Sequence, residues 1–183
     1  MTIRNRTPRL PASVAIAAAV LFFQAFFAGC GNNKRRSKAN SECQSLKTAI
    51  IMYEVEFSCW PANISGANDG VVSGSEYIKM CKALTGGNAR MMVCYEVGAG
   101  YDENKGILDP WGRPYQVALD INGDGKISES DVPAVKAVNN ANGRSGQDLR
   151  GRVAVYSFGV DEKDKDAADL ARLAKRKKLV ISW

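Results

Sequence analysis

The stretch Leu108-Asp109-Pro110-Trp111-Gly112-Arg113-Pro114-Tyr115-Gln116-Val117-Ala118-Leu119-Asp120-Ile121-Asn122-Gly123-Asp124-Gly125-Lys126-Ile127 decides how this chain folds. Asp109-Pro110-Trp111-Gly112 reads as a turn, because proline presets φ and glycine accepts a positive φ without a Cβ penalty. From Tyr115 to Leu119 polarity alternates among strand formers, which predicts a β-strand leaving that turn. Trp111 and Tyr115 carry the largest apolar surfaces nearby and are expected to pin the corner to the rest of the domain. Asp120 to Gly125 then closes the strand with a second turn.

Two later pieces complete a set: Tyr156-Ser157-Phe158-Gly159-Val160-Asp161 and Ile181-Ser182-Trp183. With Asp109 to Tyr115 they resemble, in order, the C-terminal domain of the major pseudopilin of type II secretion systems, the family's G subunit. That family carries D-P-W-G-x-P-Y running into a small antiparallel sheet, a strand ending in Y-S-x-G-x-D, and an I-x-S-W-like terminus. The likeness covers Ser41 to Trp183, with an insertion, and stops short of the N-terminus. Its motif residues here are Asp109, Pro110, Trp111, Gly112, Pro114, Tyr115, Ser157, Gly159, Asp161 and Trp183. It implies an α+β, pilin-like fold in which an N-terminal spine helix packs on a small three- to four-stranded antiparallel sheet.

Residues 1–29 are read as a signal outside the fold. Arg4, Arg6 and Arg9 form a basic leader, Pro11 to Phe27 is apolar, and Phe27-Ala28-Gly29-Cys30 places small residues before a cysteine. That resembles the lipobox of bacterial lipoproteins, which implies a lipid on Cys30 and a place in the cell envelope, facing the periplasm or the exterior. An uncleaved membrane helix is the alternative, although seventeen residues is the short end of a span. A pseudopilin leader fits less well. Its cleavage site would precede the apolar run and be followed by a glutamate, whereas the first acidic residue here is Glu42.

Residues 30–40 read as a basic tether, with Lys34, Arg35, Arg36 and Lys38 among Asn and Ser and no apolar periodicity. Those cations would favour an anionic bilayer by about 1 kcal/mol each at most; a merely solvated linker is the competing reading. Five more basic residues cluster between Arg172 and Lys178, whereas Ser41 to Ala171 holds thirteen basic and nineteen acidic residues. The overall charge of +6 is therefore concentrated at the ends, and the body is acidic. That argues against a nucleic-acid partner.

The chain holds five cysteines and no histidine. If Cys30 is acylated, Cys43, Cys59, Cys81 and Cys94 form an even set that suits two disulfides in an oxidising compartment, with free buried thiols as the alternative. Without histidine there is no Ser-His or Cys-His pair, and no spaced carboxylates suggest a cleft. The expectation is a non-enzyme with no small-molecule substrate.

Ser41 to Phe57 is the best helix. Ser41 and Gln44 make a capping box, and Cys43, Leu46, Ile50, Tyr53 and Phe57 form one apolar stripe before Trp60-Pro61 ends it. Leu46-Lys47-Thr48-Ala49 through Tyr53, with Trp60-Pro61, is similar to the family's L-K-x-A-x-x-x-Y helix and its following Y-P. Cys43 and Cys59 would sit about 24 Å apart along such a helix, too far for a disulfide, so a bridge should join the spine to the Cys81–Cys94 region. Ala62 to Ser73 reads as a loop, Ser75 as the cap of a helix from Glu76 to Leu84, and Tyr77, Met80, Cys81 and Leu84 as its inner face. Met91 to Val97 is short helix or strand, and Gly98 to Gly106 a flexible approach to the Asp109 turn.

Asp120 to Asp131, D-I-N-G-D-G-K-I-S-E-S-D, matches a twelve-residue calcium loop. Oxygens of Asp120, Asn122, Asp124, the Lys126 carbonyl, Ser128 and Asp131 would converge on one ion, while Gly125 permits the sharp turn. The strand before it and a helix from Asp131 to Val138 resemble half of a dockerin repeat; a plain hairpin turn is the alternative. The insertion spans residues 120–150, and Asn139 to Gly151 reads as an exposed excursion. Val153 to Phe158 is a second strand beside Tyr115 to Leu119, and Asp166 to Lys178 an amphipathic helix with Leu170, Leu173 and Ala174 on one side. In the G-subunit family, aspartates of the loop that starts here with Asp161 bind calcium.

The expected organisation is thus 1–29 signal, 30–40 tether and 41–183 globular domain. The expected role is a pseudopilin-like structural protein, membrane-tethered, with secretion components as partners. A calcium-dependent binding module on a surface lipoprotein is the rival.

Overall fold

The computed structural model describes residues 12–66, 68–97, 100–159, 167–175 and 179–183, of which 12–30, 167–169 and 171 as backbone only. Asp161 lies outside the described residues. Helix α1 runs from Ala12 to Phe57. The chain divides into two units, Met1–Arg35 and Arg36–Trp183, and the second holds the sheet and the core.

Residues 31–40, expected as a tether, are helical, and the body begins at Arg36 rather than Ser41. The lack of an apolar stripe there signals a solvated surface and says nothing against a helical backbone. Between Gly31 and Asn40 only Ala39 is buried, and no proline interrupts helix propagation. Ser41 consequently sits inside a helix, where no free N–H group needs capping. The body half of α1 buries Cys43, Leu46, Ile50 and Tyr53 of the expected stripe, together with Ala49, while Phe57 packs half-buried against the same core. It ends as Ser58 turns to φ +55 and Trp60 extends before Pro61.

After a 3-10 turn at Pro61–Asn63 come strand β1 (Gly70–Val72) and helix α2 (Gly74–Leu84). A two-strand hairpin, β2 (Tyr101–Asp102) and β3 (Gly106–Ile107), leads to β4 (Gln116–Leu119). Then follow β5 (Lys126–Ile127), α3 (Pro133–Ala141), β6 (Leu149–Arg150), β7 (Val153–Ser157), α4 (Ala167–Lys175) and β8 (Val180–Ile181). The main sheet is antiparallel, in the order β1-β4-β7-β8. The protein is therefore a mixed helix-and-sheet fold with a long N-terminal helix, as expected for α+β.

Alternation along β4 and β7 gives the sheet two buried faces. Val117, Leu119, Val153 and Val155 join α1 and α2 in the main core, with Tyr77, Met80, Cys81 and Leu84 of α2 pointing inward as the periodicity required. Ala118, Ala154 and Tyr156 face the other way, against Ile127, Val132, Ala134 and Val135. Leu170, Leu173 and Ala174 of α4 pack on Ala137 and Val138.

Several expectations need correcting. Gly70 to Val72, read as loop, is an edge strand whose place is set by its partner β4. Helix α2 starts at Gly74, after Ser73, rather than at Glu76, so Ser75 does not cap it. Met91 to Val97 is neither helix nor strand apart from one bridge, Val93 to Thr85. The excursion after Val138 holds the end of α3 and the strand β6.

Candidate functional site

Two sites emerge, a clasp at the Asp109 turn and the loop that follows β4. In the clasp, Asp109 is buried and its Oδ1 accepts the N–H groups of Trp111 (2.9 Å) and Arg113 (3.0 Å), which holds the D-P-W-G turn shut. Gly112 takes φ +83, where any Cβ would be strained. Oδ2 accepts the Ser157 hydroxyl at 2.5 Å, and Ser157 Oγ in turn accepts the Gly159 N–H at 3.1 Å. Arg113 donates to the Gly159 carbonyl. Motif residues 48 positions apart in sequence thus share one buried carboxylate. Next to it, fully buried Tyr115 donates to Glu42 Oε2 on α1 at 2.6 Å. Burial, then that carboxylate, push its hydroxyl pKa far above the usual tyrosine range. Trp111 packs at the rim of the core, and Trp183 meets Tyr156 edge-on, 6.0 Å between centroids.

The loop has a formed first half. Asp120 is fully buried; its Oδ1 accepts the N–H of Gly123 (2.7 Å) and Asp124 (3.2 Å), and its Oδ2 that of Gly125 (2.9 Å). Asn122 accepts from Asp124 and Asp124 from Lys126, both at 2.9 Å. Gly123 and Gly125 take φ +77 and +82. Gly151 donates to the Gly125 carbonyl at 3.0 Å, and Lys126 pairs with Arg150. Since hydrogen-bonded and non-bonded pairs alternate, the Lys126 carbonyl turns away from β6.

The second half departs from the expected shell. Ser128 Oγ lies 2.8 Å from Ser130 Oγ, and Asp131 Oδ1 accepts from Ser130 at 3.0 Å on the exposed surface. Asp120, Asp124 and Asp131 are not gathered, and among the described residues no three Cys, Asp or Glu side chains form a metal-holding group. The side-chain oxygens of Asp120, Asn122 and Asp124 stand on alternate positions, each accepting backbone N–H groups of the loop itself, and a guanidinium lies beside the first. Arg152 Nε is 3.8 Å from Asp120 Oδ2.

Three residues that brace this loop were not anticipated. Asp69 spans it, accepting from Ile121 (3.2 Å) with one oxygen and Ser128 (2.8 Å) with the other. Glu129, also buried, gathers the N–H groups of Gly146 (3.0 Å) and Gln147 (3.1 Å) and the Asn139 amide (3.2 Å). Arg152 adds the side-chain ion pair to Asp120. Only the spacing of Asp69 before a glycine hinted at a turn; nothing local marks the long-range partner.

Cys43, Cys59, Cys81 and Cys94 are all free thiols, not the two expected disulfides. Cys43 and Cys81 act as small apolar core residues, with Cys81 Sγ accepting the Ile107 N–H at 3.5 Å. Burial, reinforced by Glu42 and Asp109, pushes the Cys43 thiol up to about 12. Cys59 and Cys94 pack at the edge of the same core, with no bridge from the spine to the Cys81–Cys94 region. Cys30 lies within α1. Among the described residues no helix is long and apolar enough to cross a membrane.

No match was found. Family models, curated proteins and solved structures were each compared with the chain, and none corresponds to it.

Proposed function

We propose that the chain is a non-catalytic, pseudopilin-like structural protein of the cell envelope, related to the G subunit of type II secretion systems. It works beside other pseudopilin or secretion components, tethered to the membrane by a lipid on Cys30. The observation that carries this reading is the clasp. The D-P-W-G turn and the Y-S-x-G strand end meet on one buried carboxylate, Asp109, with the Ser157 hydroxyl 2.5 Å away. A long N-terminal helix packed by its C-terminal half on a four-stranded antiparallel sheet supports the pilin-like form.

Calcium belongs to the same reading, held by Asp120, Asn122, Asp124 and the Lys126 carbonyl and completed by Ser128 and Asp131. It would fix the loop as an oxygen-bound structural ion. The exposure of Asn122 to Lys126 favours a second use of the loop, as a calcium-dependent partner surface.

The test is a strain lacking the chain, assayed for proteins released by type II secretion, together with crosslinking of the chain in the envelope. Loss of secretion and crosslinks to pseudopilins are expected. Normal secretion, with crosslinks to unrelated proteins alone, overturns the proposal. Fatty-acid labelling that is equal in the wild type and Cys30→Ser overturns the anchor.

A further inference from the structure

A cleft of about 440 Å³ lies between the end of α3, the link of residues 144–150, and Ile181 and Trp183 at β8. Its size is ordinary for a small-molecule site. One wall is held in place by buried Glu129, which gathers the N–H groups of Gly146 and Gln147 and the Asn139 amide.

The lining is rich in donors. Trp183 Nε1 is buried and meets no acceptor among the described residues. An indole nitrogen only donates, and a buried donor left unpaired is unfavourable. At the rim, the exposed Arg144 and Arg150 side chains make no ion pair and no hydrogen bond among the described residues. Against these donors stands one lining carboxylate, Asp148, whose Oδ1 already accepts the Glu129 N–H at 3.1 Å. The floor is apolar, with Val138 buried and Ile181 half-buried. A second cavity of about 310 Å³ shares Val138, Asn142 and Ile181 with the first and is walled further by buried Ala174, Leu179 and Val180.

Donors above an apolar floor select a group rich in acceptors on a short apolar body. Two guanidiniums make that group an oxyanion, because their planar forks match the paired oxygens of a carboxylate or a phosphate. We propose that this cleft binds a small organic anion. Its carboxylate or phosphate meets Arg144 and Arg150 and accepts the Trp183 N–H, while its apolar part lies on Val138 and Ile181. The site stands apart from the clasp and does not depend on a role in secretion.

The experiment titrates the full, isotope-labelled chain separately with sodium hexanoate, hexyl phosphate and hexanamide. Heteronuclear NMR follows the indole N–H resonances of the three tryptophans, and Trp183→Phe identifies the one that belongs to the cleft. At millimolar concentration one or both anions should shift the Trp183 resonance downfield and saturably, leaving Trp60 and Trp111 in place; the anion that acts distinguishes carboxylate from phosphate recognition. Hexanamide has the same apolar chain without the charge and should bind about tenfold more weakly. Calorimetry should find the anion held about tenfold more weakly by R144Q/R150Q, the scale of two exposed charge contacts together. Both positions are exposed, so this variant should melt with the wild type. Trp183→Phe keeps a ring beside Tyr156 but lacks the donor and should weaken binding about fivefold. Arg90→Gln removes an equal charge outside the cleft and should bind like the wild type. The absence of a saturable Trp183 shift with both anions overturns the proposal. So does equal binding of hexanamide, undiminished binding by R144Q/R150Q, or an equal loss in R90Q.

Discussion

Replacing Asp109 by alanine removes the acceptor on which the clasp depends. The wild-type carboxylate, 5% exposed, accepts two backbone N–H groups of its own turn and the Ser157 hydroxyl from β7. Hydrogen bonds to a charged acceptor contribute about 1.5–3 kcal/mol each, but the turn's N–H groups are half-buried and water can replace part of the loss. The expected cost of Asp109→Ala is therefore about 3–5 kcal/mol, among the larger values for a single substitution. For a body of this size that lowers Tm by roughly 10–15 °C.

Ser157→Ala leaves the turn intact and strips one donor from Oδ2, for about 1.5–3 kcal/mol. Asp109→Asn keeps an acceptor for the turn and should cost about as much as Ser157→Ala. The decisive measurement is the double-mutant cycle, by urea unfolding followed with circular dichroism. Once Asp109 is gone, Ser157→Ala has only the acceptor of the Gly159 N–H left to remove, so the pair should fall short of additivity by at least about 1 kcal/mol. Additive losses, or an Asp109→Ala protein within about 1 kcal/mol of the wild type, would refute the claim that one carboxylate joins turn and strand.

Three further outcomes are expected. Native alkylation with iodoacetamide, read by mass spectrometry, should modify Cys59 and Cys94 well before the buried Cys43 and Cys81, whose thiols are raised by burial; rapid loss of the Cys43 thiol contradicts its placement. Cys43 is raised from 9.0 to about 12, so the unfolded chain releases this proton first. Stability is intact below pH 9 and declines as pH climbs toward 12, by about 1.4 kcal/mol per unit for this group, and Cys43→Ala should flatten that slope in urea titrations. Millimolar calcium should raise the melting temperature by mass action, and magnesium far less. Asp120→Ala with Asp124→Ala should abolish the calcium shift; a wild-type melt unmoved by calcium reduces the loop to a hairpin turn.

Where the sequence could be read, the signal was local. The D-P-W-G turn, the strand after it, the second strand at Val153 and the inner face of α2 all follow from periodicity and turn chemistry within a dozen residues. Strand β1 did not, because three residues at a sheet edge become a strand through pairing with β4, which lies far along the chain. Asp69, Glu129 and Arg152 were equally hidden, since an aspartate before glycine looks alike whether it ends in water or spans a distant loop. The helical course of residues 31–40 was hidden for a different reason. Apolar spacing reports which side of a helix is buried, and residues 31–40 form a helix with almost nothing to bury.

The position of the excursion explains how a loop of this size fits a small sheet. The chain leaves β4 at Leu119 and returns to β7 at Val153, and these two residues are partners in the ladder. Residues 120–152 therefore close on themselves without shifting the register, and closure entropy rises only slowly with loop length. What they add is cover. Ala134 and Val135 of α3 lie over Ala118, Ala154 and Tyr156, the sheet face turned away from α1. The cover is braced by protein carboxylates, Asp69 across the loop and Glu129 across the α3–β6 link. Its frame is thus complete without an ion. Asp120 closes the first turn of the excursion in the same way, its buried carboxylate gathering the N–H groups of Gly123, Asp124 and Gly125, so the loop leaves the ladder already folded on its own residues.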